Sequence, residues 1–140
     1  MTEKEILQEL HRPGYIWRSL TQKKEKFENL FDMATNTSSY IEITGIRTHS
    51  AKSKIESAME KRDDLREQMS NDFAAYLDAQ HVIQKRINEM PYPEKDCIEI
   101  QYLYHKRYIK PYGCTRKVAD IRESAIRIYA EIANRQTENE

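Results

Sequence analysis

Hydrophobic residues recur at alternating spacings of four and three along the middle of the chain, and this repeat restricts the possible folds most strongly. The series predicts one face of a long α-helix, as in a coiled coil. Ser53 and Glu56 fit a capping box at its start. At about 1.5 Å per residue, a helix from Ser53 to Met90 is about 57 Å long. The series consists of Ile55, Met59, Arg62, Arg66, Met69, Phe73, Tyr76, Gln80, Ile83, Ile87 and Met90.

A second series with the same spacing precedes it. It follows a short helix expected at about Thr2 to His11, which Pro13-Gly14 should end. The stretch Thr35 to Ser50 is rich in Thr, Ser and Asn and predicts a connecting loop. A loop of this length lets the second helix fold back, so we expect residues 1–90 to form a long antiparallel hairpin. The second series consists of Ile16, Leu20, Lys23, Phe27, Leu30 and Ala34.

The composition favours an all-α protein. The chain has 140 residues, of which 3 are Gly and 4 are Pro, so long helices meet few residues that break them. Hydrophobic residues make up 39% and charged residues 33%. This balance suits extended helices that bury one face better than a large spherical core.

The sequence contains no sign of a membrane-spanning segment or of secretion into an oxidising compartment. No apolar run approaches the roughly 18 residues of a membrane span. Met1 to Leu10 lack the apolar centre of a signal peptide. The two cysteines, Cys97 and Cys114, do not make a disulfide framework. We therefore expect a cytoplasmic protein without a membrane partner.

The last third of the chain predicts a small unit that begins after two prolines. Pro91 and Pro93 should end the long helix, and Pro93 suits the first position of the next one. We expect this unit at residues 91–136, followed by a disordered tail at 137–140. Two short helices joined by a tight turn would give it a helix-turn-helix outline. The helices are expected at about Pro93 to Tyr108, Thr115 to Ile121 and Ser124 to Arg135.

Positive charge is concentrated in this unit although the whole chain is neutral. Basic and acidic residues number 23 each overall, whereas residues 101–135 hold eight basic and three acidic residues. Such asymmetry attracts a polyanion, and we predict that the unit binds duplex DNA. The predicted DNA-binding residues are Arg116, Lys117, Arg122, Ser124, Arg127, Glu131 and Asn134.

The expected roles differ within this set. Arg127 and Ser124 should contact base edges, because they lie on the open face of the last predicted helix. Phosphate contacts are expected from Arg116, Lys117 and Arg122. The other interpretation is a solvated helix face, on which mixed Arg and Glu residues are common.

Four tyrosines alternate with basic residues before the last predicted helices. This arrangement also occurs in single-strand binders, whose aromatic rings stack on bases. Tyrosines on a helix more often close a small core, and we expect such packing for all four. They are Tyr102, Tyr104, Tyr108 and Tyr112.

Sites for a metal, a cofactor or catalysis are not predicted. Cys97, His105 and Cys114 lack the spacing of paired zinc ligands. The chain also contains no glycine-rich phosphate loop, nucleophile elbow or His-Glu-x-x-His motif. We therefore expect a protein that is not an enzyme.

The long heptad series is expected to join two copies of the chain as a homodimer. Its second half is the more apolar and should be the more tightly covered. The predicted self-association residues are Met69, Phe73, Tyr76, Ile83 and Ile87.

Four segments of the chain resemble one known family. They are FENLFDMATNTSSY, HSAKSKIESAMEKRDDLREQM, IEIQYLYHKRY and KVADIRESAIRIYAEIANR. In this order they are similar to the ArpU-like and RinA-like transcription regulators of phages of Gram-positive bacteria. The carboxyl-terminal part of that family looks like region 4 of sigma-70 factors.

The resemblance implies a helical hairpin for self-association or partner binding and a helix-turn-helix that binds late phage promoters. It also implies a bacterial host cell and RNA polymerase or another host protein as partner. Val118-Ala119, Ser124 and Arg127-Ile128-Tyr129 match family positions in the two helices of the motif. The segment Ile109 to Thr115 replaces the family's short turn and inserts several residues.

Two functions are therefore open from the sequence. One is a phage or prophage transcription regulator that binds duplex DNA through a carboxyl-terminal helix-turn-helix. The other is a protein-interaction module that docks on a host or phage protein, with a carboxyl-terminal unit that does not bind DNA. The first is the favoured hypothesis, and the apolar residues beside the long series and the altered turn support the second.

Overall fold

The computed structural model describes residues 1–44 and 49–139, with side-chain surroundings for 1–30, 32 and 55–139. Every regular element among these residues is helical, so the predicted all-α class is confirmed. None of the described helices has the length and apolarity that crossing a membrane requires. The elements are α1 (Glu3–Thr44), α2 (His49–Ile87), α3 (Glu94–Ile98) with a π-helical turn directly after it (Glu99–Leu103), and α4 (Val118–Glu138).

Helix α1 passes through Pro13, where the sequence predicts a break. A proline inside a helix removes one hydrogen bond and costs roughly 3 kcal/mol. The side chain of Pro13 is fully buried, so its packing offsets part of that cost. The expected separate helix at about Thr2 to His11 is therefore wrong.

The predicted loop between the first two helices is wrong over most of its length. Helix α1 continues to Thr44 and α2 begins at His49. Residues 45–48 of the predicted loop lie outside the described residues. Ser, Thr and Asn each cost at most about 0.7 kcal/mol in a helix, and extending a helix is easier than starting one. These residue types therefore do not end α1 where the sequence predicts.

The helix predicted to begin at Pro93 ends earlier than expected. A cis peptide bond joins Tyr92 to Pro93, and the helical residues then run from Glu94 to Leu103. The backbone N–H of Tyr104 donates to the carbonyl of Glu99 at 3.0 Å. His105 has a φ of 55°, a left-handed conformation in which an α-helix does not continue.

A single helix, α4, replaces the last two predicted helices. The turn expected between Ile121 and Ser124 is absent, because α4 is continuous from Val118 to Glu138. The two residues between these positions include no helix breaker. Residues spaced by helical turns on one face, including Ile121, Ala125 and Tyr129, are buried along α4. Burial along the whole face therefore favours one uninterrupted helix.

Helix α4 also includes two residues of the expected disordered tail. The Thr137 Oγ1 donates to the carbonyl of Ala133 at 2.7 Å, and the helix ends at Glu138. Residue 140 lies outside the described residues.

The chain divides into two compact units. The first contains Met1–Tyr15 and Ala75–Glu140, and the second contains Ile16–Ala74. Residue 90, the predicted domain boundary, lies inside the first unit. The buried core of the first unit draws on all four helices. It consists of Ile6, Leu10, Ile83, Ile87, Met90, Cys97, Ile98, Leu103, Tyr108, Ile121, Ala125, Tyr129, Ile132 and Ala133.

A polar network borders this core. Tyr129 Oη donates to the Glu9 carboxylate at 2.7 Å, and Arg86 pairs with the same carboxylate. Burial and the hydrogen bond to Glu9 raise the pKa of Tyr129, so its hydroxyl stays protonated. The network connects α1, α2 and α4 within the first unit.

In the second unit, arginines occupy two positions of the heptad series. The guanidinium carbons of Arg62 and Arg66 lie 4.9 and 5.8 Å from the centroid of the Phe27 ring. The face of an aromatic ring attracts a cation. This attraction accounts for the charged residues Arg62 and Arg66 at positions of the series that are otherwise apolar. Lys23 pairs with Asp72 at 2.6 Å in the same unit.

Candidate nucleic-acid interface

Positive charge is concentrated in the irregular segment between the π-helical turn and α4. We call residues 104–117 the basic segment. The nearest acidic residues along the chain are Glu99 before it and Asp120 after it. A concentration of exposed positive charge attracts a polyanion. The segment contains no acidic residue and five basic residues, all exposed: Lys106, Arg107, Lys110, Arg116 and Lys117.

The backbone of the basic segment is held at defined points. Tyr108 is 2% exposed, and Cys114 packs against the core of the first unit. Between them, the backbone N–H of Cys114 donates to the carbonyl of Pro111 at 3.1 Å. Gly113 has a φ of 83°, which the third position of a type II turn requires and which glycine adopts without strain. Residues 109–113 are therefore exposed between two packed residues, Tyr108 and Cys114.

A buried carboxylate fixes the end of the basic segment. Glu94 is 4% exposed. Its Oε1 accepts hydrogen bonds from Arg116 Nη1 at 2.7 Å and from Ser124 Oγ at 3.1 Å. Burial alone would raise the pKa of Glu94, but the hydrogen bonds from Arg116, its own backbone and Ser124 outweigh burial and lower the pKa. The ionised carboxylate therefore ties α3, the basic segment and α4 together.

We expect Glu94→Gln to destabilise the protein in a pH-dependent way. At neutral pH the free energy of unfolding should fall by about 1.5 kcal/mol, the lower end for hydrogen bonds to charged groups, because the Arg116 side chain is 43% exposed. The pKa of Glu94 lies below its ordinary value of 4.5 in the folded protein. The stability contributed by its charge is therefore present above that value and is lost as the pH falls through the folded-state pKa.

Urea denaturation from neutral pH down to about pH 3 measures this effect. The difference between the native protein and Glu94→Gln should shrink on acidification. Glu123→Gln, which changes an exposed residue of α4, is the matched control and should have little effect. A difference for Glu94→Gln that stays constant with pH would contradict the role of its charge.

The outer face of α4 carries mainly negative charge. Asp120, Glu123, Arg127 and Glu131 are all exposed. Glu123 and Glu131 lie four residues before and after Arg127, and residues four apart share one side of a helix. This face repels phosphates, so the positive charge counted from the sequence is not on the predicted DNA-reading face.

The predicted DNA-binding residues fall into two groups. Lys117, Arg127 and Glu131 are exposed, and neither Lys117 nor Arg127 forms an ion pair or side-chain hydrogen bond with a described residue. The other four have partners within the first unit. They are Arg116, Arg122, Ser124 and Asn134.

The partners of this second group limit what its members offer to DNA. The Ser124 hydroxyl donates its proton to Glu94, so it is not a free donor for a base. The Asn134 Oδ1 accepts a hydrogen bond from the amino group of Met1 at 2.6 Å. The Arg122 Nε lies 2.9 Å from the Gln101 side-chain oxygen in the amide orientation that satisfies both groups. Arg116 is held by Glu94 and remains partly exposed.

Three of the five predicted self-association residues are packed within the chain. Tyr76, Ile83 and Ile87 are 7%, 0% and 0% exposed. Met69 is half-buried and Phe73 is 49% exposed. The buried three are covered without a second copy, so self-association stays a prediction for Met69 and Phe73.

The expectation that all four tyrosines pack is wrong for two of them. Tyr108 is buried and Tyr102 is half-buried, whereas Tyr104 is 60% exposed and Tyr112 is fully exposed. The helix ends before Tyr104, so helical spacing no longer directs the later rings toward the core. The sequence signal for Tyr112 was available, because Pro111 and Gly113 mark a turn.

Within the described residues, no group of three His, Cys, Asp or Glu side chains is arranged to hold a metal ion. Cys97 lies in the core, and burial raises its pKa to about 11. Its thiol is therefore protonated at neutral pH, whereas metal ligation needs the thiolate.

Comparisons with protein-family models, curated proteins and solved structures found no match. The function is therefore inferred from the residues and geometry of this chain.

Proposed function

We propose that this protein is a phage-type transcription regulator that binds duplex DNA through its carboxyl-terminal part, with the basic segment as the main phosphate contact. The observation that carries this proposal is the set of five exposed basic side chains at positions 104–117. Four of them form no ion pair with a described residue, and the fifth, Arg116, is partly exposed and paired with Glu94. Lys and Arg side chains neutralise phosphates and release the counterions condensed on DNA. The resemblance to phage regulators supports transcription as the regulated process and a bacterial cytoplasm as the location.

One exposed residue outside the basic segment, Arg127, completes the proposed DNA contact. Lys117, the last residue of the basic segment, directly precedes α4. Arg127 can make the bidentate contact with guanine that is common in the major groove. Glu123 and Glu131 beside it oppose the approach of phosphates, so Arg127 should add less to DNA affinity than the basic segment does.

We also propose that α1 and α2 pair antiparallel and that this pair carries self-association. Lys23 contacts Asp72, whereas Phe27, one turn further along α1, contacts Arg66, which precedes Asp72 on α2. The order of contacts thus reverses between the two helices. Phe73 is half exposed beside these contacts and offers apolar surface to a second copy.

Binding of the intact protein to short labelled duplexes, followed by fluorescence anisotropy, tests the DNA proposal. With four to five phosphates neutralised at about 0.9 each, the logarithm of the binding constant should fall with the logarithm of salt with a slope of about −4. Affinity should therefore drop on the order of a hundredfold between about 50 and 200 mM salt. Absence of duplex binding at low salt would overturn the proposal.

A protein-interaction module is the second candidate function. The outer face of α4 favours it, because Asp120, Glu123 and Glu131 surround one Arg127 and suit a basic protein surface better than DNA. Recovery of a stable protein partner, with DNA binding at background, would select this function. Its loss on charge reversal at Glu123 and Glu131 would place the contact on α4.

A further inference from the structure

We propose that the tip of the basic segment binds unpaired bases, with Tyr112 as the stacking platform. This inference rests on the proposed nucleic-acid binding of the segment and names the form of DNA that it prefers. A protein with this preference would bind a melted or distorted duplex more tightly than an intact one.

The backbone turn at the tip places Tyr112 in solvent. Tyr112 occupies the second position of the turn that the hydrogen bond from Cys114 to Pro111 closes, and its side chain is fully exposed. The positive φ of Gly113 sets the turn. Packing of Tyr108 and Cys114 against the core holds the tip on both sides. The backbone at the tip is therefore already ordered before a base stacks on the exposed ring.

Further exposed apolar surface lies in the same segment. Ile109 is 79% exposed and Tyr104 is 60% exposed. Tyr104 Oη donates to Glu99 Oε1 at 3.0 Å, which restrains its ring. Exposed apolar side chains are unfavourable in water, and contact with the faces of bases removes that surface from water. An intact duplex hides these faces inside its stack, so the ring of Tyr112 can reach them only where bases are unpaired.

The positive charges near the exposed side chains indicate that nucleic acid is the ligand of this segment. Lys106, Arg107 and Lys110 flank the exposed rings, and the segment holds no acidic residue. No described side chain forms an ion pair with these three, and Lys110 donates only to the backbone carbonyl of Arg116 at 3.4 Å. Basic residues that follow a phosphate backbone, interleaved with aromatic rings, are the arrangement of single-strand binding surfaces.

The test compares three DNA forms of one sequence at one salt concentration: a paired duplex, a duplex with a central unpaired bubble and a single strand. We expect the bubble and the single strand to bind on the order of tenfold more tightly than the duplex, the scale of stacking one base. Tyr112→Ala should abolish this preference by weakening binding to the bubble and the single strand on the order of tenfold. Tyr112→Phe should retain it, because the ring remains.

The matched control is Tyr92→Ala, which removes a tyrosine that is 67% exposed outside the basic segment. It should leave the preference intact, and circular dichroism checks that each variant keeps its helices. Equal affinities for duplex and bubble, with no effect of Tyr112→Ala, would overturn the inference while duplex binding upholds the proposed function. Absence of binding to all three forms would overturn both. Binding to vesicles of anionic phospholipid that displaces the DNA would also overturn the inference, because a lipid surface would then be the preferred occupant.

Discussion

Replacing Lys106, Arg107 and Lys110 together by alanine is expected to weaken duplex binding on the order of a hundredfold near 0.1 M salt. Each lost cation leaves one phosphate without its neutralising partner. The slope of log affinity against log salt should therefore become shallower by about 0.9 per residue, about 2.7 in total. The three side chains are exposed and lie outside the helices, so the free energy of unfolding should change little. Anisotropy titrations at several salt concentrations measure both effects.

The control for this variant has the same change in net charge at other positions. Lys4, Lys24 and Lys26 are exposed on α1, and their joint replacement by alanine should leave the salt slope close to that of the native protein. Equal loss of affinity in both triple variants would show that only net charge matters. That outcome would contradict a defined contact at the basic segment.

Ile83→Ala is expected to lower the free energy of unfolding by about 2–5 kcal/mol. Ile83 is 0% exposed in the core of the first unit, so the substitution leaves a cavity in addition to removing apolar contacts. Because this side chain is covered within one chain, the loss should not depend on protein concentration. Urea denaturation at two widely separated protein concentrations measures both the size and the origin of the effect.

Leu77→Ala is the matched control for the core substitution. Leu77 lies on the same helix and is 48% exposed, so its truncation should cost well under about 1 kcal/mol. A loss for Ile83→Ala that grows as the protein is diluted would place Ile83 between two copies. That result would restore the predicted self-association role and contradict the core described above.

The long helical periodicity was predictable because it depends on local spacing alone. The series from Ile55 places Ile83 and Ile87 in the core, as an apolar helix face requires. Met90 is also buried, but it lies beyond the end of α2 at Ile87, so the predicted helix is three residues too long. The helix break predicted at Pro13 was wrong. The cost of a proline inside a helix can be estimated from the sequence alone, whereas the burial of Pro13 that offsets this cost depends on residues far away in the sequence. The break expected between Ile121 and Ser124 failed for a similar reason, since burial along α4 extends through both predicted helices.

The sequence predicts where the positive charge of the candidate site lies, but not which side chains contact one another. A count along the sequence locates the positive charge after residue 100, yet it does not show that Arg116 and Ser124 turn toward Glu94. Glu94 looks like an ordinary first-turn acidic residue, and its burial becomes visible only when α3 and α4 are packed together. Pro111 and Gly113 mark the turn that exposes Tyr112, whereas the packing of Tyr108 and Cys114 on either side of it depends on distant residues.

Lysine footprinting by acetylation and mass spectrometry, with and without duplex DNA, tests the location of the contact most directly. We predict that DNA protects Lys106, Lys110 and Lys117, while Lys4, Lys24 and Lys26 on α1 react at the same rate in both samples. Protection of the α1 lysines without protection of the basic segment would contradict a DNA contact at that segment.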